Sequence, residues 1–173
     1  MISAFTMMAL NNAQANDRLL AACDGLSAAE YAAHRTSFFP SLRSTLNHIH
    51  AVDRYYIDAL TRGGLGPHAF LDAPDFATSA ALRPAQAMLD QRLIGFCEDL
   101  APDGSANEVV TDRGKRGRFP ERIDMVLLHL FQHQIHHRGQ AHAMLAGTSV
   151  KPPQLDEFYL AFDANPANPE LDR

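Results

Sequence analysis

The stretch from Pro120 to Gly147 sets the terms for the rest of the chain. Apolar residues run before and through it, no proline interrupts it after Pro120, and Gly147 supplies a stop, so it reads as one long helix to about Ala146. It holds four of the nine histidines: His129, His133, His136 and His137. A helix advances about 100° per residue, so with His133 at 0° His137 falls near +40°, His129 near −40°, Gln140 near −20° and His136 near −60°. Four imidazoles and one amide therefore share a stripe with Val126 and Met144, which is expected to face the interior. A single histidine on an apolar face is ordinarily a core residue with one hydrogen bond. Several on one stripe each need a partner of their own, and a pair spaced i, i+4 can hold one metal ion from a single helix. His133 and His137 have the spacing of the zinc-protease H-E-x-x-H motif, but position 134 is Gln, which cannot act as a general base, so a peptidase of that type is excluded.

The remaining segments supply helices to cover this one. Ile2, Phe5, Ala9, Asn12, Asn16, Leu19 and Cys23 follow helical spacing over about residues 3 to 23, with Gly25 beyond the end. Asn12 and Asn16 on that stripe read as polar residues near a bundle end rather than as a pocket lining. Ser27 to Glu30 fits a capping box opening a short helix that ends before Arg35. A second long helix is expected from about Ser41 to Leu60, with Pro40 in its first turn and Gly63-Gly64 closing it. His48 lies beside its inward face, on a stripe with Thr45, Val52 and Tyr55, and is the candidate third ligand. His50 points about 160° away and is taken as a surface residue. Residues 63 to 77 form a connection long enough to leave the second and third helices parallel. The third runs from about Ala80 to Leu100, with Pro84 confined to its first turn, so that its start could fall as late as Arg83. Turn signals at Pro102-Asp103-Gly104 and Asp112-Arg113-Gly114 suggest a small hairpin pairing Val109-Val110 with Arg118-Phe119. Arg113, Lys115, Arg116 and Arg118 read as a solvated basic turn. A short helix over Leu155 to Leu160 follows the last long one. The bundle is assigned to residues 1–163 and a loose tail to 164–173.

Composition narrows the function. A net charge of −5 gives non-specific nucleic-acid binding no support. No leader-like N-terminus and no apolar run of transmembrane length occur, so a cytoplasmic protein without a membrane partner is expected. Cys23 and Cys97 read as reduced core thiols. Four long helices with one apolar face each make an all-α four-helix bundle, which builds metal sites on facing helices. The dinuclear carboxylate type needs Glu-x-x-His on two helices, and Gln132, His133 and Gln134 lack the carboxylates. Three histidines leave a tetrahedral position open, the pattern of a catalytic rather than a structural site. An ion there lowers the pKa of bound water or holds a thiol as thiolate. Tyr55 or Gln140 could orient such a group, and neither is a general base. His129 and His136 border the site from outside the ligand set.

Phe39-Pro40-Ser41-Leu42-Arg43-Ser44-Thr45-Leu46-Asn47-His48-Ile49 with Asp53 resembles the second-helix motif of the DinB-like (DinB/YfiT) metalloenzyme family. His133-Gln134-Ile135-His136-His137-Arg138-Gly139-Gln140 resembles that family's H-x-x-H-H-R-G-Q signature, and Asn16 to Leu20 and Pro152 to Asp156 match as well. The resemblance spans nearly the whole chain. It implies an up-down-down-up four-helix bundle, one divalent metal on the positions of His48, His133 and His137, and frequent homodimers. Relatives include thiol transferases and a thiol-dependent isomerase. The expectation is therefore a mononuclear three-histidine site for zinc or nickel, with a small-molecule substrate. The activity this implies is that of a metal-dependent thiol transferase or hydrolase-like enzyme, with a low-molecular-weight thiol as the expected co-substrate. The alternative is a non-catalytic, stress-responsive metal-binding protein. Exposed Phe38, Phe39 and Phe70 would serve a homodimer surface.

Overall fold

The computed structural model describes residues 2–155. The short helix expected over Leu155 to Leu160 and the domain boundary at 163/164 lie outside the described residues, apart from Leu155 itself. Among the described residues, six α-helices and one two-stranded ribbon follow in the order α1 (Ala4–Cys23), α2 (Ala28–Ala32), α3 (Leu42–Leu60), α4 (His68–Leu71), α5 (Ser79–Asp99), β1 (Glu108–Asp112), β2 (Arg118–Arg122) and α6 (Ile123–Leu145).

The long helices begin where the sequence offers side-chain oxygens. Ser3, Ser41 and Thr78 each accept from a backbone N–H of the first turn, and Ser27 with Glu30 forms the complete capping box. Pro40 precedes the cap of α3 rather than entering its first turn. Helix α3 ends on a Schellman-type pair, in which Arg62 N donates to Ala59 O and Gly63 N to Asp58 O. Arg62, not a glycine, takes the left-handed conformation (φ 55°). Gly63 is needed for space: a Cβ there would lie 2.1 Å from Asp58 Oδ1. Pro84 sits in the second turn of α5 rather than the first. The start is fixed upstream by the Thr78 cap and by Ser79, whose hydroxyl donates to the Leu20 carbonyl at 2.6 Å. The carbonyl that the missing N–H would have served belongs to Ala80, an exposed residue, so water can satisfy it.

Side-chain contacts give the direction of each helix. Thr6 meets Cys97, Asn16 meets Asp90 and Arg83 meets Asp24, so α1 and α5 are antiparallel. Asn47 meets Phe76, Asp53 meets Gln86 and Thr61 meets Arg92, so α3 and α5 are parallel. His48 meets His133 and Tyr56 meets His129, so α3 and α6 are antiparallel. The result is an up-down-down-up bundle. The expected hairpin forms, but in another register: Val109 and Val110 lie opposite Glu121 and Pro120, while Phe119 and Arg118 face Thr111 and Asp112. Pro120 thus belongs to β2, an edge strand that needs no N–H there, and α6 begins at Ile123, whose N–H donates to Asn107 O at 2.9 Å. Of the basic residues in the turn, Arg113 pairs with Glu121 and Arg118 with Asp112. Cys23 and Cys97 are free and buried.

The core comes in two pieces. One joins Val52, Tyr56, Leu89, Leu93, Val126, Leu127 and Leu130 towards the hairpin end; the other joins Leu19, Leu42, Leu46, Leu82, Ala141 and Leu145 at the opposite end. Between them every long helix presents buried polar side chains. Asn12 and Asn16 belong here, at 2% and 4% exposure, so they lie in mid-bundle rather than near its end. His50 is also buried, at 3%, contrary to its expected place on the surface. Helix α5 packs on the face of α3 away from the histidine stripe, where Gln86 meets His50 Nδ1 at 3.3 Å and Phe76 meets its ring edge-on at 5.3 Å. Burial pulls His50 down to about 4, so it is neutral and donates Nδ1–H to the Gln86 carbonyl.

Candidate metal centre

The i, i+4 spacing on α6 brings His133 and His137 to 4.5 Å between ring centroids. His48 of α3 completes the group, 4.9 Å from the His133 ring and 4.8 Å from that of His137. Nε2 of His48 and Nε2 of His133 are 2.9 Å apart, and one ligand atom from each of the three rings falls within 4.8 Å of the others. The histidine stripe does not face the bundle axis. The deepest face of α6 runs through Leu127, Leu130, Gln134, Ala141 and Leu145, while His133 is half-buried and His129 and His136 are exposed. Gln134 is one residue, about 100°, round from His133, and the wider apolar run lies on its side. The group therefore sits at the seam of α3 and α6, reachable from outside.

Its electrostatics favour bare lone pairs. Burial, then the neighbouring His137, pulls His48 down to about 4. Burial, followed by His137 and His48, pulls His133 down to about 3. His137 is lowered chiefly by burial, with Gln140 acting in the other direction. Near neutral pH all three are uncharged imidazoles, the form that binds metals. Gln140 fixes one tautomer: its carbonyl Oε1 accepts from Nδ1–H of His137 at 2.8 Å, leaving Nε2 of that ring with its lone pair, and its amide donates to Nε2 of His136 at 3.0 Å. Nδ1 of His133 is buried without a hydrogen-bond partner. A donor set of three neutral, closely placed nitrogens fits a borderline divalent cation, and no carboxylate belongs to the group.

Aromatic rings surround the histidines. Phe39 lies 4.4 Å from the His48 ring and 5.5 Å from that of His137. Phe38 packs edge-on against Phe39 and reaches to 6.3 Å from His137, and Phe70 approaches His48 edge-on at 6.2 Å. The loop carrying the first two is closed by Arg35 N–H donating to Pro40 O at 2.8 Å. The phenylalanines assigned above to a partner surface thus form a rim beside the histidines. Phe38 is 76% exposed. That rim was not legible as part of the site, because residues 38 and 70 belong to segments with no periodicity to place them.

The other expected site residues fall at graded distances. His136 touches the His137 ring at 4.9 Å, and His129 stacks beside His133 at 6.3 Å and against Tyr56 at 5.0 Å. Tyr55 stands two turns beyond His48 on α3. Its hydroxyl donates to Asp112 O at 2.9 Å, tying α3 to the hairpin, and its ring packs on Tyr56. What the sequence reading missed is the polar layer directly behind the histidines. Gln134 and Arg138, each one residue after a histidine of the group, are buried at 0% and 6%. The signal was present in Asn12, Asn16 and Asp53, polar residues on otherwise apolar faces.

A family model described as the DinB family matches residues 1–169. Among solved structures, the chain resembles the crystal structure of a DinB-like protein from Bacillus cereus ATCC 10987, with a TM-score of 0.64 and 14% identity over 84% of this chain and 91% of that one. At that identity the likeness speaks for the fold alone. Comparison with curated proteins found no match. With the family match spanning almost its full length, the chain belongs to the DinB family.

Proposed function

We propose that this protein binds one divalent metal ion, zinc or nickel, through His48, His133 and His137, and that it is a metal-dependent enzyme of the thiol-transferase or hydrolase-like kind. The observation that carries the reading is the convergence of three neutral imidazoles from two helices at an accessible seam of the bundle. Such an ion, with a coordination position left open, supplies Lewis acidity that holds a thiol or a water as its conjugate base near neutral pH. The chain's own residues do the rest. Gln140 sets the tautomer and orientation of His137. Phe38, Phe39 and Phe70 offer aromatic faces to the apolar body of a small electrophile and lower the water content around its reacting atom. A low-molecular-weight thiol is the proposed co-substrate. Among the described residues no helix is long and apolar enough to cross a membrane, which suits the proposed cytoplasmic location. The exposed phenylalanine edges also suit a homodimer, which light scattering over micromolar concentrations would detect and a constant monomer mass would exclude.

The deciding experiment loads the full chain with zinc or nickel, measures bound metal, and screens it with glutathione and other small thiols against a panel of electrophiles. Turnover that depends on metal, thiol and His48 supports the enzyme. Metal bound tightly with no turnover across the panel favours the non-catalytic, stress-responsive reading. A chain that takes up neither metal sinks both.

A further inference from the structure

The two halves of the apolar core are separated by a layer to which each long helix contributes two polar residues about one turn apart. On α1 these are Asn12 and Asn16, on α5 Gln86 and Asp90, on α6 Gln134 and Arg138. On α3 they are His50 and Asp53. All eight are buried, at 6% exposure or less.

The amides in this layer point one way. Arg138 Nη1 donates to the carbonyl oxygens of Asn12, of Asn16 at 3.0 Å and of Gln134 at 3.1 Å. The NH2 group of each then donates onward: Asn12 and Asn16 to Asp90 Oδ1 at 3.4 and 2.9 Å, Gln134 to Asp53 Oδ2. Gln86 links the two carboxylates, donating to Asp53 at 2.7 Å and Asp90 at 3.2 Å, while its carbonyl accepts from His50. The arginine thus reaches its counter-charges through amides, each used as acceptor on one side and donor on the other. No apolar residue can make such a connection, and a carboxylate could not donate. Two carboxylates face one guanidinium, so the layer is electroneutral only if it holds a proton. Burial raises both carboxyls, and Asp53 is raised further above the usual range by Asp90, so the pair favours holding one proton between them.

Resting on the metal reading above, we propose that this layer is the register device of the metal centre: it fixes the rotation and axial position of α6 against α3, and through them the approach of His133 and His137 to His48. Gln134 and Arg138 follow His133 and His137 by one residue, so one turn of α6 carries both the clamp and the histidine pair. A shift of α6 by one residue would turn the histidines by about 100°. Apolar packing alone tolerates such sliding, whereas a directional polar layer at one level does not. Asp53, Gln134 and Arg138 are thus positioning residues.

The test uses the full chain in two arms. The first is 15N-imidazole NMR of the metal-free protein, reporting the hydrogen bond between Nε2 of His48 and Nε2 of His133. The second is titration with Co(II), read by its visible bands. Asp53→Asn, which keeps an oxygen facing Gln86 and Gln134, should match the parent in both arms. The triple variant Asp53→Leu/Gln134→Leu/Arg138→Met leaves Asp90 without a cation and the Asn12 and Asn16 carbonyls without a donor, so its unfolding midpoint should fall, while the two apolar cores keep it folded. It should nonetheless lose the histidine hydrogen bond and bind Co(II) about 10- to 100-fold more weakly. A triple variant that folds and keeps both signals overturns the proposal. Should it fail to fold, Gln134→Leu decides: Asp53 keeps Gln86 and Arg138 keeps both asparagines, and an unchanged histidine hydrogen bond there overturns it equally. If the parent binds no Co(II), the metal reading falls, while the NMR arm still decides the positioning role.

Discussion

Two polar clusters sit one residue apart on α6 and obey opposite rules. His133 and His137 look towards the α3 seam, where with His48 they share a single hydrogen bond and leave lone pairs free. Gln134 and Arg138 look towards the axis, into a layer where nearly every donor meets an acceptor across helices. The first cluster is under-satisfied at an accessible edge, which is what a ligand site requires. In the interior, where each unpaired polar group costs about 1–3 kcal/mol, the second is satisfied but for Asp53 Oδ1. Three imidazoles make the candidate site; seven amide and charged side chains, with His50, make the layer behind it.

The widest gap between the clusters should appear when one member is removed from each. Arg138→Met strips three amides of their donor and leaves two buried carboxylates without a cation, so urea denaturation should show a loss of about 3–5 kcal/mol. The triple variant should lose less than this, because one carboxyl and one amide leave together with the cation. On the histidine side, His48→Ala, His133→Ala and His137→Ala should each remove most bound metal by elemental analysis. They should lower the melting temperature of the metal-loaded protein while leaving metal-free stability nearly unchanged, since metal stabilises only the state that binds it. Retention of metal by His137→Ala would place the ligand set elsewhere.

His50→Ala tests whether the two clusters are separable. It leaves Gln86 Oε1 without its donor and opens a small void, so a loss of about 1–3 kcal/mol is expected with metal content intact. Emptying of the site by this change would show that His50 belongs with the other three.

Acid should act on the histidines and on the buried carboxyls of the layer with opposite signs. His48 and His133, held near 4 and 3, bind fewer protons folded than unfolded, so their contribution to metal-free stability is full above about pH 6.5 and is lost as pH falls towards those values. His50, near 4, adds to the same slope. Asp90, raised to about 6, and Asp53, raised well above the usual carboxylate range, bind more protons folded, so their contribution is present below about pH 4 and is lost as pH rises through their folded values. Chemical denaturation from pH 7 to 4 should show a decline that His48→Ala/His133→Ala flattens and Asp53→Asn steepens. A parallel shift of the whole curve by either variant would contradict the assignment.

The smallest effects belong to the outer histidines. His129→Ala and His136→Ala should keep metal content, with a modest loss of affinity for His136→Ala because Gln140 loses the ring that receives its amide proton. Loss of metal from His129→Ala with retention in His137→Ala would mean that the ligand pair lies one turn earlier on α6.

Local patterns in the chain carried much of this. Apolar spacing marks four long helices and the Ser27–Glu30 capping box one short one, because those signals act within a few residues; the caps at Ser3, Ser41 and Thr78 are placed by the structure. Helical arithmetic groups His133 with His137 without reference to any other part of the chain. It fails for His50, because whether the far face of α3 meets water or α5 depends on a neighbour some 30 residues away. It fails for Pro84, whose place in the second turn depends on Ser79 anchoring to α1. It fails for Phe38 and Phe70, which sit outside the periodic segments and reach the histidines only because the chain folds back over the seam.

The sequence by itself marked the four long helices, the parallel second and third of them through the length of residues 63–77, and three candidate histidines, since these follow from spacing and loop reach; the full up-down-down-up order came with the family resemblance. Only the tertiary structure decided that the histidine stripe lies at the bundle's edge and that Asn12, Asn16, Asp53, Asp90, Gln134 and Arg138 close into one layer. Burial is a property of surfaces brought together from distant parts of the chain. A polar side chain on an apolar stripe announces only that it needs a partner; which partner, and from which helix, is settled when the four helices pack.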